Sequence, residues 1–271
     1  MDVSACPRTP GESVDAEPDG ALRPGVLRYR GFRRAQGPPC RHLEVPAGAV
    51  SLLLLTEGEL LLGPPDGSGP LVPHTAVACG LRTSGLAVQH RGAVAGVEVT
   101  LTPWCAYTLF GGVPLGRLGR GPLDLAELIG PRAAALRERL AGASGPAARF
   151  AVLDRTLAQL LTAGPPPAPP VVRAWRDLHA SAGGASIPRL AHEVGWCQSQ
   201  LERRFREQVG LTPKGCARVI RLRNALRLLR GGLPGAELAA AAGFHDQSHL
   251  SREFKSMTGT TLGRYLAATG S

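Results

Sequence analysis

Gly243-Phe244-His245-Asp246-Gln247-Ser248-His249-Leu250-Ser251-Arg252-Glu253-Phe254-Lys255 decides how this chain is read. Asp246 can accept a backbone N–H from the following turn and so cap a helix that begins at Gln247. At 3.6 residues per turn, Leu250, Phe254 and Met257 line one face, while Gln247, Ser248, Ser251, Arg252 and Lys255 line the opposite one. That polar face carries base-reading chemistry: Gln pairs bidentately with adenine, Arg with guanine, Ser is adaptable, and Lys suits a phosphate. An ordinary amphipathic helix with a solvated face has the same spacing, so this segment alone leaves both readings open.

Upstream, the chain repeats itself. Leu190-Ala191, Gly195 and Trp196 return 48 residues later as Leu238-Ala239, Gly243 and Phe244. Leu201, Phe205, Arg206, Gly210 and Thr212 return 49 residues later as Leu250, Phe254, Lys255, Gly259 and Thr261. The change of offset puts one inserted residue in a turn, where a change of length is easily absorbed.

In the first copy, Ser186 can cap a helix with Pro188 in its first turn and Ile187, Leu190, Ala191 and Val194 as its apolar stripe. Gly195 breaks that helix. A second helix from about Gln198 to Gln208 buries Leu201 and Phe205 and turns out Ser199, Glu202, Arg203 and Arg206. Glu202 can accept from a cytosine amine or pair along the helix with Arg206. Two copies of one helix-turn-helix pattern make a merely solvated face a poor explanation for either. Between them, Thr212 and Pro213 start a long helix to about Arg230, with Leu222, Ala225, Leu226 and Leu229 available to both units. A rod that held the two recognition helices ~34 Å apart would let both enter successive major grooves on one side of a duplex.

Charge agrees with this placement. The chain carries a formal net charge of +10 over 271 residues. From Ala168 onward there are 15 Lys and Arg against 7 Asp and Glu, so most of the excess lies in the repeated region. A concentrated positive field attracts a polyanion, and duplex DNA is the partner that the two helices suit.

Residues from about Val171 to Leu266 resemble the AraC/XylS-type DNA-binding domain, most specifically through Gly243 to Lys255 with Gly259 and Tyr265 following. The resemblance implies a transcriptional regulator. It implies base contacts from Ser199, Glu202 and Arg203 in the first recognition helix and from Gln247, Ser248, Ser251 and Arg252 in the second. With Arg206 and Lys255 these nine residues are the candidate DNA-binding site. Cys197 stands where the family usually has a capping Ser or Thr, Gly215-Cys216 replaces a bulkier pair, and Leu262 takes a common Pro position. The first unit is therefore expected to be the less stable.

The N-terminal half has a different texture. Val26 to Tyr29, His42 to Val45, Val50 to Thr56, Glu59 to Leu62, Ala76 to Leu81, Leu86 to His90 and Val94 to Leu101 read as short strands between Gly and Pro turns, as in an antiparallel barrel or sandwich. Helical spacing follows over Asp124 to Ile129, Arg132 to Leu140 and Ala147 to Leu161, with Phe150, Leu153, Leu157 and Leu160 on one face that either closes over the strands or pairs with a second subunit. This order resembles the sensor half of AraC-type regulators, which implies a small-molecule effector. The expected fold is α+β: an N-terminal cupin-like β barrel with trailing helices, then an all-α domain of two helix-turn-helix units joined by a long helix.

The expected divisions are a disordered tail over 1–24, a cupin-like sensor or dimerisation domain over 25–161, a Pro-rich linker over 162–170 and the AraC-type DNA-binding domain over 171–268. Such a linker should uncouple the halves, so that residues 168–271 fold and bind DNA alone. The partners expected are double-stranded DNA, a small-molecule effector, RNA polymerase for an activator, and a second copy of the chain in a homodimer.

Catalysis has little support. His42, His74 and His90 could in principle bind a metal, as in a cupin enzyme, but they lack the clustered His-X-His and downstream Glu that such a site needs. There is no Gly-rich phosphate loop or nucleophile elbow, and no cofactor is expected. A non-enzymatic regulator is the expectation, with a metalloenzyme fused to a DNA-binding domain and a non-specific nucleic-acid scaffold as alternatives. The six cysteines show no CxxC pair or zinc spacing, so reduced thiols are expected. No signal peptide is legible, and the apolar run from Ala49 to Leu55 is too short to span a bilayer, which points to the cytoplasm.

Overall fold

A computed structural model describes residues 12–37 and 40–269. Among the described residues ten strands form two antiparallel sheets: β1 (Glu12–Ala16), β2 (Val26–Arg34), β3 (Cys40–Glu44), β4 (Val50–Glu57), β5 (Leu60–Gly63), β6 (Val72–His74), β7 (Ala76–Cys79), β8 (Leu86–His90), β9 (Val94–Leu101) and β10 (Leu123–Asp124). The larger sheet runs β1-β2-β9-β4-β7-β10 and the smaller β3-β8-β5-β6. The expected barrel is thus corrected to a two-sheet sandwich, because no described strand pair closes the sheets into one ring.

Alternation along β4 explains the layering. Leu52 and Leu54 enter a core with Val97, Val99 and Leu101 of β9 and with the helices that cover the large sheet. Leu55, with Leu53 packed beside it, faces the other way, toward Leu60, Leu62, Leu86 and Val88 of the small sheet. Successive side chains on a strand point to opposite faces, and here both faces are covered.

Two expectations change in this half. The disordered tail is corrected over its second part: β1 pairs with β2 from Glu12↔Arg33 to Ala16↔Tyr29, and Arg30 Nε donates to Asp15 Oδ1 at 2.9 Å. The strand lacks an apolar face because the edge of a sheet supplies its backbone hydrogen bonds, which need no hydrophobic periodicity. Residues 1–11 of that expectation lie outside the described residues. Helix α1 (Pro103–Leu109) was not anticipated, although Thr102 caps it by accepting from Cys105 N–H and Pro103 opens its first turn.

Helices α2 (Ala126–Ile129), α3 (Arg132–Ala141) and α4 (Pro146–Ala163) follow as expected, except that Asp124 ends a short strand. Phe150, Leu153, Leu157 and Leu160 are all buried, and Phe150 stacks on Tyr29 with centroids 5.6 Å apart. The α4 face therefore closes over the chain's own strands.

The second half comprises α5 (Pro169–Ala180), α6 (Ile187–Glu193), α7 (Gln198–Val209), α8 (Pro213–Arg230), α9 (Gly235–Ala241), α10 (Gln247–Thr258) and α11 (Leu262–Thr269). α4 runs on to Ala163 and α5 starts at Pro169, whose first turn needs no N–H from proline, so 164–168 alone connect them. That connection is held: Thr108 Oγ1 donates to Pro165 O at 2.9 Å, and Ala168 N–H donates to Gln208 Oε1 at 2.9 Å. Val171, Trp175, Leu201, Phe205 and Val209 share one apolar core with Leu115, Leu118 and the β half. The apolar faces of α5 and α7 thus find part of their burial across the connection.

Candidate nucleic-acid interface

The two units superpose in sequence as read. α6 and α9 are offset by 48 residues and α7 and α10 by 49, so the inserted residue lies in the turn before α10. Each first helix ends in the same way. Gly195 at φ +74° and Gly243 at φ +78° take the left-handed conformation that favours glycine. Trp196 N–H returns to Ala191 O at 2.9 Å, and Phe244 N–H to Ala239 O at 2.8 Å. Gly210 and Gly259, at φ +96° and +73°, stop α7 and α10 alike.

The starts of the two recognition helices differ. Asp246 accepts from His249 N–H, with Oδ1 at 2.6 Å, and Asp246 Oδ2 lies 3.0 Å from His245 Nδ1. The His245 bond, then the His249 N–H, hold the Asp246 carboxyl below its ordinary range. At the equivalent place Cys197 makes no side-chain cap to α7. Its thiol lies 3.2 Å from Ser199 Oγ, and that contact draws its pKa down.

Both helices bury their expected apolar residues, Leu201 and Phe205 in α7 and Leu250, Phe254 and Met257 in α10. Ser199, Arg203 and Arg206 on α7 and Gln247, Ser248, Ser251, Arg252 and Lys255 on α10 are exposed. Glu202 is half-buried and accepts from Gln198 Nε2 at 3.1 Å. Its partner is thus the residue one turn before it rather than Arg206, because Arg206 stands beside the β half. There Arg206 helps line a cleft of about 340 Å³ with Thr83, Leu211, Thr212, Lys214 and Arg218.

The long helix starts as read, and residues not singled out from sequence tie it to the units. Thr212 caps α8, accepting from Gly215 N–H at 3.0 Å. Arg218 Nε donates to Glu253 Oε2 at 2.8 Å, tying α8 to α10. Arg221 Nη1 donates to Gly183 O at 2.9 Å in the first unit's half while its guanidinium sits 5.9 Å from the Phe244 ring centroid in the second. In sequence these are only three more arginine and glutamate positions on polar helix faces; nothing in their spacing names a partner.

The three histidines do not converge. His42 is beside Glu44 on β3, His74 ends β6, and buried His90 contacts Arg34 and Gly92 O. Among the described residues no group of three His, Cys, Asp or Glu is placed to hold a metal. Cys79, Cys105 and Cys216 are buried free thiols and Cys197 an exposed one, whereas Cys40 is in a disulfide, a correction to the expectation of reduced thiols throughout. Among the described residues no helix is long and apolar enough to cross a membrane.

Comparison with known proteins agrees with the geometry. Residues 171–268 match the family model described as "Helix-turn-helix domain", and this segment is a helix-turn-helix domain of the AraC type. The uncharacterized HTH-type transcriptional regulator YbfI of Bacillus subtilis (strain 168) is 35% identical over 69 residues, 26% of this chain and 25% of its own length. The chain therefore matches about a quarter of that curated relative. ToxT from Vibrio cholerae O395 bound to (E)-4-(8-methylnaphthalen-1-yl)but-3-enoic acid is similar over 90% of this chain and 99% of its own, with 10% identity and a TM-score of 0.50. Unsaturated fatty acid bound wild-type ToxT from strain SCE256 covers 94% of this chain and 99% of its own, with 11% identity and a TM-score of 0.49. At 10% identity the likeness to the first of these structures is one of fold.

Proposed function

We propose that the chain is a non-enzymatic, sequence-specific DNA-binding transcriptional regulator whose N-terminal half responds to a small molecule. One observation carries the reading: two equivalent helices, each behind the same glycine-broken turn, present polar faces to solvent on the more basic half of the chain. Ser199, Glu202, Arg203, Gln247, Ser248, Ser251 and Arg252 are the proposed base-reading residues, with Arg206 and Lys255 toward phosphates. The second part is supported by the likeness of fold to ToxT bound to (E)-4-(8-methylnaphthalen-1-yl)but-3-enoic acid, and the cleft where Thr83 of the β half meets the helix-turn-helix half is a place for such a molecule to act. Lys214 leaves it cationic, since Arg218 there is already paired with Glu253, so the effector class it suits is a small anion. RNA polymerase is the further partner of an activator, and a second copy that of a dimeric regulator.

Footprinting on genomic fragments tests this directly. A defined protected site with a steep salt dependence is expected. Equal affinity for every fragment would leave a non-specific scaffold instead, and stoichiometric bound metal with turnover would leave the enzyme reading. Small carboxylates and inorganic phosphate, titrated against the protein–DNA complex, test the effector: Lys214→Ala should abolish any response.

A further inference from the structure

Both recognition helices are seated on the rest of the chain at their C-terminal ends. At the end of α7, Gln208 is buried and its side chain accepts from Ala168 N–H at 2.9 Å. A Cβ on the next glycine, Gly210, would stand 3.0 Å from Leu115 O, so the helix end is pressed against the 3-10 turn Leu115–Arg117. At the end of α10 the counterpart of Gln208, by the offset of 49, is Met257. Its carbonyl accepts from Gly85 N–H at 2.6 Å, in the loop between β7 and β8. Val45, just after β3, is buried with Leu222, Leu226, Phe254, Met257 and Tyr265. The opposite ends of both helices, with Ser199 and Arg203 or Gln247, Ser248 and Ser251, stay exposed.

This arrangement closes a ring. The first unit touches the β half, the β half touches the second unit, and α8 returns to the first. α8 itself packs on both units, through Cys216, Ala217 and Ile220 on the first and through Val219, Leu222, Ala225 and Leu226 on the second. A third body in contact with both adds a second, independent restraint on their relative setting.

We infer that the N-terminal half is a gauge for operator spacing, and that Gly85 is the positioning residue through which it sets the second recognition helix against the first. The inference rests on the DNA-reading role proposed above. One base pair more or less between two half-elements turns the second by ~34° and moves it by ~3.4 Å, so a fixed pair of helices distinguishes spacers that a hinged pair tolerates. A side chain at Gly85 would crowd this contact: its Cβ would lie 2.8 Å from Leu43 Cδ1, 3.2 Å from Glu44 O and 3.5 Å from Met257 O, so a branched residue pushes the loop away from α10.

The test selects bound duplexes from a random pool with the full-length chain and reads spacer length between the two selected half-elements. Wild type should yield one spacer, with about tenfold weaker binding when it changes by one base pair. Gly85→Val should select the same two half-elements but tolerate the change within about threefold. Val45→Ala, which leaves the loop intact, should move in the same direction and carries the test if Gly85→Val does not fold. A purely structural role would weaken all spacers alike, and that result, or a wild type indifferent to spacing, overturns the inference while leaving DNA reading intact. Selection of no motif by wild type overturns both.

Discussion

Trp104 and Trp175 meet edge to face with ring centroids 5.8 Å apart, and Trp175 lies 6.4 Å from Phe205. The three rings run from α1, which precedes the helix-turn-helix segment, through α5 to the buried face of the first recognition helix. The two halves of the chain are therefore joined by packing as well as by the backbone.

A fragment of residues 168–271 should consequently unfold at lower urea than the same segment in the intact chain and bind apolar dyes through the exposed faces of α5 and α7. Within the full chain, Trp175→Ala should cost about 3–5 kcal/mol, the range for truncating a buried aromatic residue. Equal urea midpoints for fragment and intact chain would show that the shared core contributes nothing.

Arg252→Ala should weaken binding to the selected site by about 1–3 kcal/mol and binding to unrelated duplex by much less, because a bidentate base contact is lost. Paired titrations on the two DNAs measure this. The same loss on both would place Arg252 at a phosphate.

The helix caps predict opposite effects at equivalent positions. Asp246→Ala should lower the Tm, since His249 N–H loses its acceptor, and Cys197→Ser should raise it by supplying one to α7. The Asp246 carboxyl titrates below its ordinary value of 3.8. Its folded-state pKa is lowered, so its contribution is full above that value and fades as pH falls through the folded one. The Tm gap between wild type and Asp246→Ala should hold at neutral pH and shrink in acid; a gap independent of pH would separate the cap from the carboxylate charge.

His90 should make the β half acid-sensitive. Burial, with the positive Arg34 nearby, lowers its pKa from 6.5, against the opposing bond to Gly92 O. The unfolded chain then binds a proton that the folded chain refuses, and stability falls as pH drops below 6.5. His90→Gln should flatten that slope in urea titrations at successive pH values. An unchanged slope would assign the effect to other groups.

The DNA-binding half was largely legible because its signals are local. Periodicity placed α7, α8 and α10, glycines marked the turns, and the offsets of 48 and 49 located the insertion. Thr102-Pro103 carries the same start signal as Thr212-Pro213, so α1 was within reach of the same reasoning. β1 was not, because an edge strand held by backbone pairing with β2 leaves no pattern in its side chains.

Local sequence thus determined which helices form and which of their faces is polar, since both follow from bonds and contacts a few residues apart. Tertiary structure alone decided that the strands stop at two sheets, that Arg206 faces Thr83 across a cleft, that Arg221 spans both units and that Gly85 meets Met257. Those contacts join residues far apart in the chain, and which distant surfaces meet depends on how every buried face packs at once.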